Sequence, residues 1–214
     1  MAPKIKVQLV DDHAVVRAGF RRLLEDMADI SVVAESATSE ECLLDYRKHH
    51  PDVVVLDVFM PGMGGMEAIR RLLAIDEDAK VVVLSFYDSW IIPMRALKAG
   101  ARGYLSKRTA PGELIAAVRK VAAGQSYIEP AIAQKIAEQS VFGGQEPIER
   151  LTSREFEVFQ LLVQGERVAD IAKKLHVSPK TVGIHRAHIM QKLETSSLAS
   201  LTRMAGYYGL LEQL

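Results

Sequence analysis

Through the first 124 residues, short unbroken apolar runs alternate with stretches in which apolar positions recur every three or four residues. The runs are Ile5 to Val10, Ile30 to Ala34, Val53 to Leu56, Val81 to Leu84 and Gly103 to Leu105. Unbroken Val/Ile/Leu runs, rather than alternating ones, predict strands covered on both faces, the situation of a parallel sheet packed between helices. The intervening stretches predict helices from Ala14 to Met27, Glu40 to His49, Gly65 to Ile75, Pro93 to Ala99 and Pro111 to Ala123. In the first of these, Val16, Phe20, Leu23, Leu24 and Met27 line one face. Five βα units predict a doubly wound parallel α/β domain, with the strand order left open by the pattern.

After Gly124 the pattern changes. A polar helix is predicted from Pro130 to Val141, followed by VFGGQEPIE, whose glycines, proline and acids punctuate a linker. From Leu151 onward the period is helical throughout, predicting helices from Ser153 to Gln164, Val168 to Leu175, Pro179 to Leu193 and Ser197 to Leu210. Ser153 and Ser178 are candidate caps, and Pro179 falls at a first helical position, where its missing N–H costs nothing. The expected organisation is an α/β domain over residues 1–124, a linker with a helix over 125–149, and an all-α four-helix domain over 150–214. Within the first domain, SWIIPMRALKAG is unusual. Pro93 lacks a donor, so the fourth helix is expected to start there and to leave Trp90, Ile91 and Ile92 irregular, as an apolar patch for self-association or as burial against the sheet edge.

Composition fits this picture: 49% hydrophobic and 25% charged residues describe a globular chain with a packed core. The opening MAPKIKVQLV is no signal peptide, and no stretch approaches the roughly 18 uncharged apolar residues of a membrane span, so a cytoplasmic protein with no membrane contact is expected. The single cysteine, Cys42, occupies an apolar helical position and reads as a buried thiol. A net charge of zero conceals an asymmetry: residues 1–125 are neutral, 126–149 carry −3 and 150–214 carry +3. From Val177 to Leu193 stand Lys180, Arg186 and Lys192 with His185 and His188 and no acid, a local field suited to a polyanion.

The charged residues of the α/β domain fall at related places. Asp11 and Asp12 follow the first run, Asp57 ends the third, Ser85 ends the fourth and Lys107 lies just past the fifth. In a parallel sheet these places share the carboxyl edge, where open α/β sheets bind ligands. Three carboxylates gathered there raise one another's pKa unless a cation neutralises them, and ligation by carboxylate and water oxygens is the preference of Mg²⁺. Lys107 and Ser85 are not ligands such a site needs; with Mg²⁺, an ammonium and a hydroxyl suit the oxygens of a phosphoryl group. Asp57, ahead of a tight turn at Met60, Pro61 and Gly62, is the candidate nucleophile that accepts it as an acyl phosphate. Singly, Asp12 reads as a helix cap and Lys107 as a surface charge; the conjunction of five at strand ends points to the site.

DD at 11 and 12, LDVFMPGMGG around Asp57, LSF around Ser85 and GYLSK up to Lys107 resemble the receiver domain of bacterial two-component response regulators, in matching order and spacing. The resemblance implies a flavodoxin-like strand order of 2-1-3-4-5 and phosphotransfer to Asp57 from a sensor histidine kinase. It implies Mg²⁺ held by Asp12, Asp57 and the backbone carbonyl of Phe59, with Asp11 acting mainly through water, and a switch pair of Ser85 and Tyr104. A haloacid-dehalogenase-type hydrolase is the enzyme alternative, but it needs an acid two residues past the nucleophile, where this chain has Phe59. Phe59 and Tyr87 are bulky where a small polar side chain would position water, so autodephosphorylation is expected to be slow.

In the helical domain, Val168 to Leu175 and Pro179 to Leu193 predict a helix-turn-helix, which can seat one helix in the major groove. On the second helix Val182, His185, Ile189 and Leu193 share an inward face, opposite Lys180, Gly183, Ile184, Ala187 and Gln191. The stretch from Leu151 to Leu193, with SPKTV-x-x-H-x-x-x-I-x-x-KL, resembles the LuxR-type helix-turn-helix, and both domains together resemble the NarL/FixJ class. GARGYLSKRTAPGELIAAV is similar to its UhpA group and GQSYIEPAIAQKIA to its GacA group. The resemblance implies double-stranded DNA as partner, met by Ser178 and Lys192, by Lys180, Thr181 and Arg186 at phosphate-contacting positions, and by Gly183, Ile184 and Ala187 at base-reading positions. Gly183 offers no side chain to a base, so either the backbone approaches the groove closely there or readout falls on Ile184, which can touch a thymine methyl, and on DNA shape. On the last helix Leu198, Leu201, Ala205 and Tyr208 are expected to pack onto the domain, and the resemblance adds a homodimer seam on phosphorylation. It also implies that the unphosphorylated receiver masks the reading helix, with the linker as hinge. A constitutive scaffold with a vestigial receiver is the competing reading, and the intact Asp11, Asp12, Asp57, Ser85 and Lys107 oppose it.

Overall fold

The computed structural model describes residues 3–60, 62–87, 89–108, 111–144 and 146–211. In chain order the α/β part comprises β1 (Ile5–Val10), α1 (Ala14–Glu25), β2 (Ile30–Ser36), α2 (Ser39–His49), β3 (Val53–Asp57), α3 (Gly65–Ile75), β4 (Val81–Ser85), α4 (Ile91–Ala99), β5 (Gly103–Ser106), α5 (Pro111–Ala122) and β6 (Tyr127–Ile128). All pairings are parallel, and the sheet order is β2-β1-β3-β4-β5-β6. The first five strands take the flavodoxin-like order. The sixth is a departure: Tyr127 and Ile128, read from the sequence as linker, add a short edge strand beside β5. Two residues carry no period of their own, so only the neighbouring strand identifies them.

Burial follows the apolar pattern. Val7, Leu9, Val53, Val55, Val82, Leu84 and Leu105 of the sheet pack with Leu24, Leu114, Ala117, Val118 and Val121 of the helices in one core. Cys42 is fully buried, and burial pushes its thiol pKa up to about 12, as an inert core thiol requires. The fourth helix corrects the expectation. It begins at Ile91 and carries Pro93 in its first turn, where the missing N–H would have no intrahelical acceptor. Ile91 and Ile92 are 1% and 0% exposed, and Trp90 is half-buried.

The turn after Asp57 depends on a close approach. Pro61, which the sequence placed in it, lies outside the described residues. Gly62 and Gly64 have φ of 95° and 77°, and Gly65 donates its N–H to the carbonyl of Val58 at 3.3 Å. A Cβ at Gly65 would stand 2.4 Å from Val58 Cα and 2.8 Å from the Asp57 carbonyl, both backbone atoms that cannot step aside. Gly65→Ala is therefore expected to displace the Asp57 loop and destabilise by about 1–3 kcal/mol. An unchanged urea midpoint would contradict this.

The helical part comprises α6 (Pro130–Phe142), a 3₁₀ turn at Pro147–Arg150, then α7 (Ser153–Val163), α8 (Val168–Lys174), α9 (Pro179–Lys192) and α10 (Leu198–Tyr207). The cap of α7 is Thr152, not Ser153. Its hydroxyl accepts from Glu155 N–H while the Glu155 carboxylate accepts from Thr152 N–H at 2.8 Å, a reciprocal capping box. Ser178 caps α9 by accepting the Thr181 N–H at 3.0 Å, with Pro179 at the first helical position. Among the described residues no helix is long and apolar enough to cross a membrane.

Candidate functional site

Register brings the chemistry together. Val10 pairs with Leu56, Asp57 with Leu84, and Ser85 with Ser106, so the carboxyl ends of β1, β3, β4 and β5 come level. The residues just past those ends, Asp11 and Lys107, are thereby delivered to Asp57 from strands far apart in sequence. Lys107 Nζ lies 2.6 Å from Asp11 Oδ2 and 2.6 Å from Asp57 Oδ2, and its side chain is 1% exposed. The other oxygen of Asp57, Oδ1, accepts the N–H of Phe59 at 3.0 Å. Lys107 N–H donates to the Ser85 carbonyl at 2.8 Å, which seats the lysine beside β4. Ser85 and the Tyr104 ring are both fully buried, one on β4 and the other on β5.

The electrostatics of this pocket are those of a buried charge cluster. Burial raises the pKa of Asp57 above the ordinary carboxylate range, and the charge of Asp11 adds to it; the Lys107 ammonium and the Phe59 N–H oppose the shift without cancelling it. Burial alone would lower Lys107, but the two carboxylates outweigh it and hold its pKa up. Two carboxylates and one ammonium leave a net negative pocket, and Asp12 extends it. Ligand atoms of Asp11, Asp12, His13 and Asp57 all lie within 4.8 Å of one another, a span one divalent cation bridges. The donor set is mostly carboxylate oxygen, which fits the Mg²⁺ expected from the sequence.

His13 was missed by the sequence reading. Its Nδ1 stands 2.8 Å from Asp12 Oδ1 and 3.4 Å from Asp11 Oδ1. Nothing but adjacency to the acids marked it. Phe86, next to Ser85, is 45% exposed and lies under the lysine, with Lys107 Nζ 5.0 Å from its ring centre.

On α9 the inward face is as the spacing predicts: Val182, Ile189 and Leu193 are buried and His185 half-buried. Among the described residues His185 Nδ1 is buried without a hydrogen-bond partner, and burial, with Arg154 nearby, lowers its pKa. Lys180, Gly183, Ile184, Arg186 and Ala187 are exposed, Ile184 at 48%. Ser178 is exposed and Thr181 half-buried, their hydroxyls 2.8 Å apart across the cap. Lys192 is placed differently from its neighbours. Its ammonium lies 2.6 Å from Oε2 of Glu155, which is 4% exposed. Burial raises the Glu155 pKa, but Lys192 and the Thr152 donors outweigh this and leave it below the ordinary range. The T-x-x-E pattern at 152–155 was legible as a capping box; the partner across the domain was not.

On α10, Leu201, Ala205 and Tyr208 are 0%, 0% and 6% exposed, and the Tyr208 hydroxyl donates to Glu146 at 2.8 Å. Leu198 is 40% exposed and Tyr207 79%. Three of the four seam residues thus pack within the helical part, and the surface face of α10 carries Leu198 and Tyr207.

The model of the response regulator receiver domain matches residues 7–119, and that of the bacterial regulatory proteins of the luxR family matches residues 149–205. The chain is 39% identical over 208 residues to the response regulator UvrY of Escherichia coli strain K12, covering 96% of this chain and 95% of that one. It is 41% identical over 209 residues to the response regulator GacA of Pseudomonas protegens, covering 97% and 98%. RcsB of Salmonella enterica serovar Typhimurium, solved on promoter P1flhDC with the phosphomimetic BeF3⁻, superposes with a TM-score of 0.72 at 27% identity, over 94% of this chain and 97% of that one.

Proposed function

We infer how this protein works from the family to which its chain belongs, the response regulators that join a receiver domain to a LuxR-type DNA-binding domain. It is a phosphorylation-controlled regulator of transcription rather than a metabolic enzyme. Its receiver takes residues 1–124, its linker 125–149 and its DNA-binding domain 150–214. The phosphoryl group passes from a sensor histidine kinase to Asp57, in the cytoplasm, by a transfer that the receiver's own residues assist.

Asp12, Asp57 and the Phe59 carbonyl would hold Mg²⁺, with Asp11 acting through water; the ion supplies charge neutralisation for the incoming phosphoryl oxygens. Asp57 is the nucleophile. Lys107 holds its carboxylate in place and presents a fixed positive charge to the transferred group. Ser85 supplies a hydroxyl to the phosphoryl, and Tyr104 responds to that hydroxyl's movement. Phe59 and Tyr87, bulky where a small polar side chain would position a hydrolytic water, keep autodephosphorylation slow.

The reading surface is α9. Ser178, Lys180, Thr181 and Arg186 fix register on phosphates, while Gly183, Ile184 and Ala187 face the bases. Lys192 instead ties α9 to α7 through Glu155. Homodimers form through α10, where Leu198 is the one of the four expected residues open to a second copy.

One observation carries this reading: the Lys107 ammonium at 2.6 Å from both Asp11 and Asp57, at the carboxyl edge of the sheet. The test uses a duplex selected by the protein from a random pool. Beryllofluoride with Mg²⁺ is expected to tighten binding at least about fivefold, the low end of allosteric couplings. Equal affinity with and without it would favour the constitutive scaffold.

A further inference from the structure

The bonds that hold β6 to β5 include Tyr127 N–H to the Arg102 carbonyl and Glu129 N–H to the Tyr104 carbonyl, both at 3.0 Å. Pro130, with no N–H, then ends the ladder and opens α6. The next donor on β5 is Ser106 N–H, and it finds a side chain in place of a strand: Glu129 Oε2 accepts it at 2.9 Å. Ser106 is only 7% exposed, so that amide needs a partner inside the fold. The carbonyl of Glu129 in turn accepts the N–H groups of Ile132 and Ala133 at 3.0 and 2.9 Å, which starts the first turn of α6. One residue therefore joins the strand of Tyr104, the amide directly before Lys107, and the root of the linker helix.

We propose that Glu129 is a positioning residue that ties the seating of Lys107 to α6, so that the phosphorylation state of Asp57 reaches the linker through this carboxylate. The inference rests on the function proposed above and adds its route. Lys107 is bonded at both ends: its ammonium to Asp11 and Asp57, its N–H to the Ser85 carbonyl. A phosphoryl group on Asp57 puts added charge and bulk at the partner of that ammonium, so Lys107 must reseat. Ser106 is its peptide neighbour, and the Ser106 hydroxyl accepts Arg108 N–H at 3.2 Å, closing 106–108 into a small turn. Such a turn moves as a unit. The Glu129 carboxylate, fixed to its first amide, carries the movement to the start of α6. A purely structural Glu129 would complete the sheet edge and have no bearing on the response.

The experiment uses the full chain as wild type, Glu129→Ala and Glu129→Gln, on the selected duplex, with and without beryllofluoride and Mg²⁺. Gln keeps an amide oxygen as acceptor for Ser106 N–H, whereas Ala removes it. Glu129→Ala is expected to be labelled at Asp57 by acetyl phosphate yet to lose most of the gain in DNA affinity, and Glu129→Gln to retain at least half of it. Amide exchange at Ser106 is expected to quicken in Glu129→Ala alone, and it reports the latch even should that variant prove too unstable for binding assays. A full response in Glu129→Ala, an equal loss in both variants, or unchanged exchange at Ser106 overturns the latch and leaves the functional reading intact. A wild type that ignores beryllofluoride sinks the functional reading, and the latch with it.

Discussion

Replacing Asp57 by Asn is expected to abolish labelling by acetyl phosphate and to leave DNA affinity at its unphosphorylated value, whatever phosphodonor is added. Asn preserves the side-chain oxygen that accepts the Phe59 N–H, a bond of 3.0 Å in the wild type, so the turn after β3 survives. It removes the anionic oxygen that attacks phosphorus, and no amide oxygen substitutes for it under the same conditions. Asp11 and Asp12 remain beside the altered side chain, but Asp11 Oδ2 is engaged by Lys107 and Asp12 lies on the loop leaving β1. Acid-labile phosphate on the intact protein measures the outcome. Labelling of the Asn variant at the wild-type level would place the nucleophile elsewhere. In the wild type the same assay reads the decay, which is expected to be slow because Phe and Tyr stand at 59 and 87 where small polar side chains would help to position water. Loss within seconds would contradict that part.

The second large effect is on stability. Lys107→Met is expected to destabilise the α/β part by about 3–5 kcal/mol without a divalent ion, because it strands two buried carboxylates that now share one ammonium. Met matches the length of the aliphatic stem, so lost packing contributes little. Mg²⁺ should return part of the difference by supplying charge to the same carboxylates, and the contrast between EDTA and Mg²⁺ separates electrostatics from packing. The loss can be followed by amide exchange along β3, in the middle of the sheet. A loss under 1 kcal/mol, or one that Mg²⁺ leaves untouched, would refute the charge argument. The pH dependence has a definite sign. Burial raises the folded pKa of Asp57, so its contribution to stability is complete below the unfolded value of roughly 3.9 and is lost as pH rises through the raised one. Without Lys107 that pKa climbs further, and the Met variant is expected to recover toward the wild type as the solution is acidified.

Much of this was legible along the chain because local chemistry repeats in one dimension. The runs around Val7, Val54, Val82 and Leu105 announced strands buried on both faces, and the five polar residues at their ends announced a carboxyl-edge site. Boundaries erred where the deciding group lies elsewhere. Pro93 looked like a helix start, but a proline in any of the first few positions forgoes a bond that would not have been made. Ser153 looked like a cap, but Thr152 holds that place because its partner Glu155 stands three residues on and can return the bond.

By itself, then, the order of residues determined the first five strands and their helices, the α/β and all-α division, the carboxylates and lysine of the pocket, and the basic, acid-free stretch of α9. Only the tertiary structure decided which charges meet. Lys107 against Asp11 and Asp57, Lys192 against Glu155, and Glu129 beneath Ser106 join residues on different elements. Such pairings depend on strand register and helix packing. A side chain's period records which face it occupies, and carries no mark of the distant group that packing will bring against it.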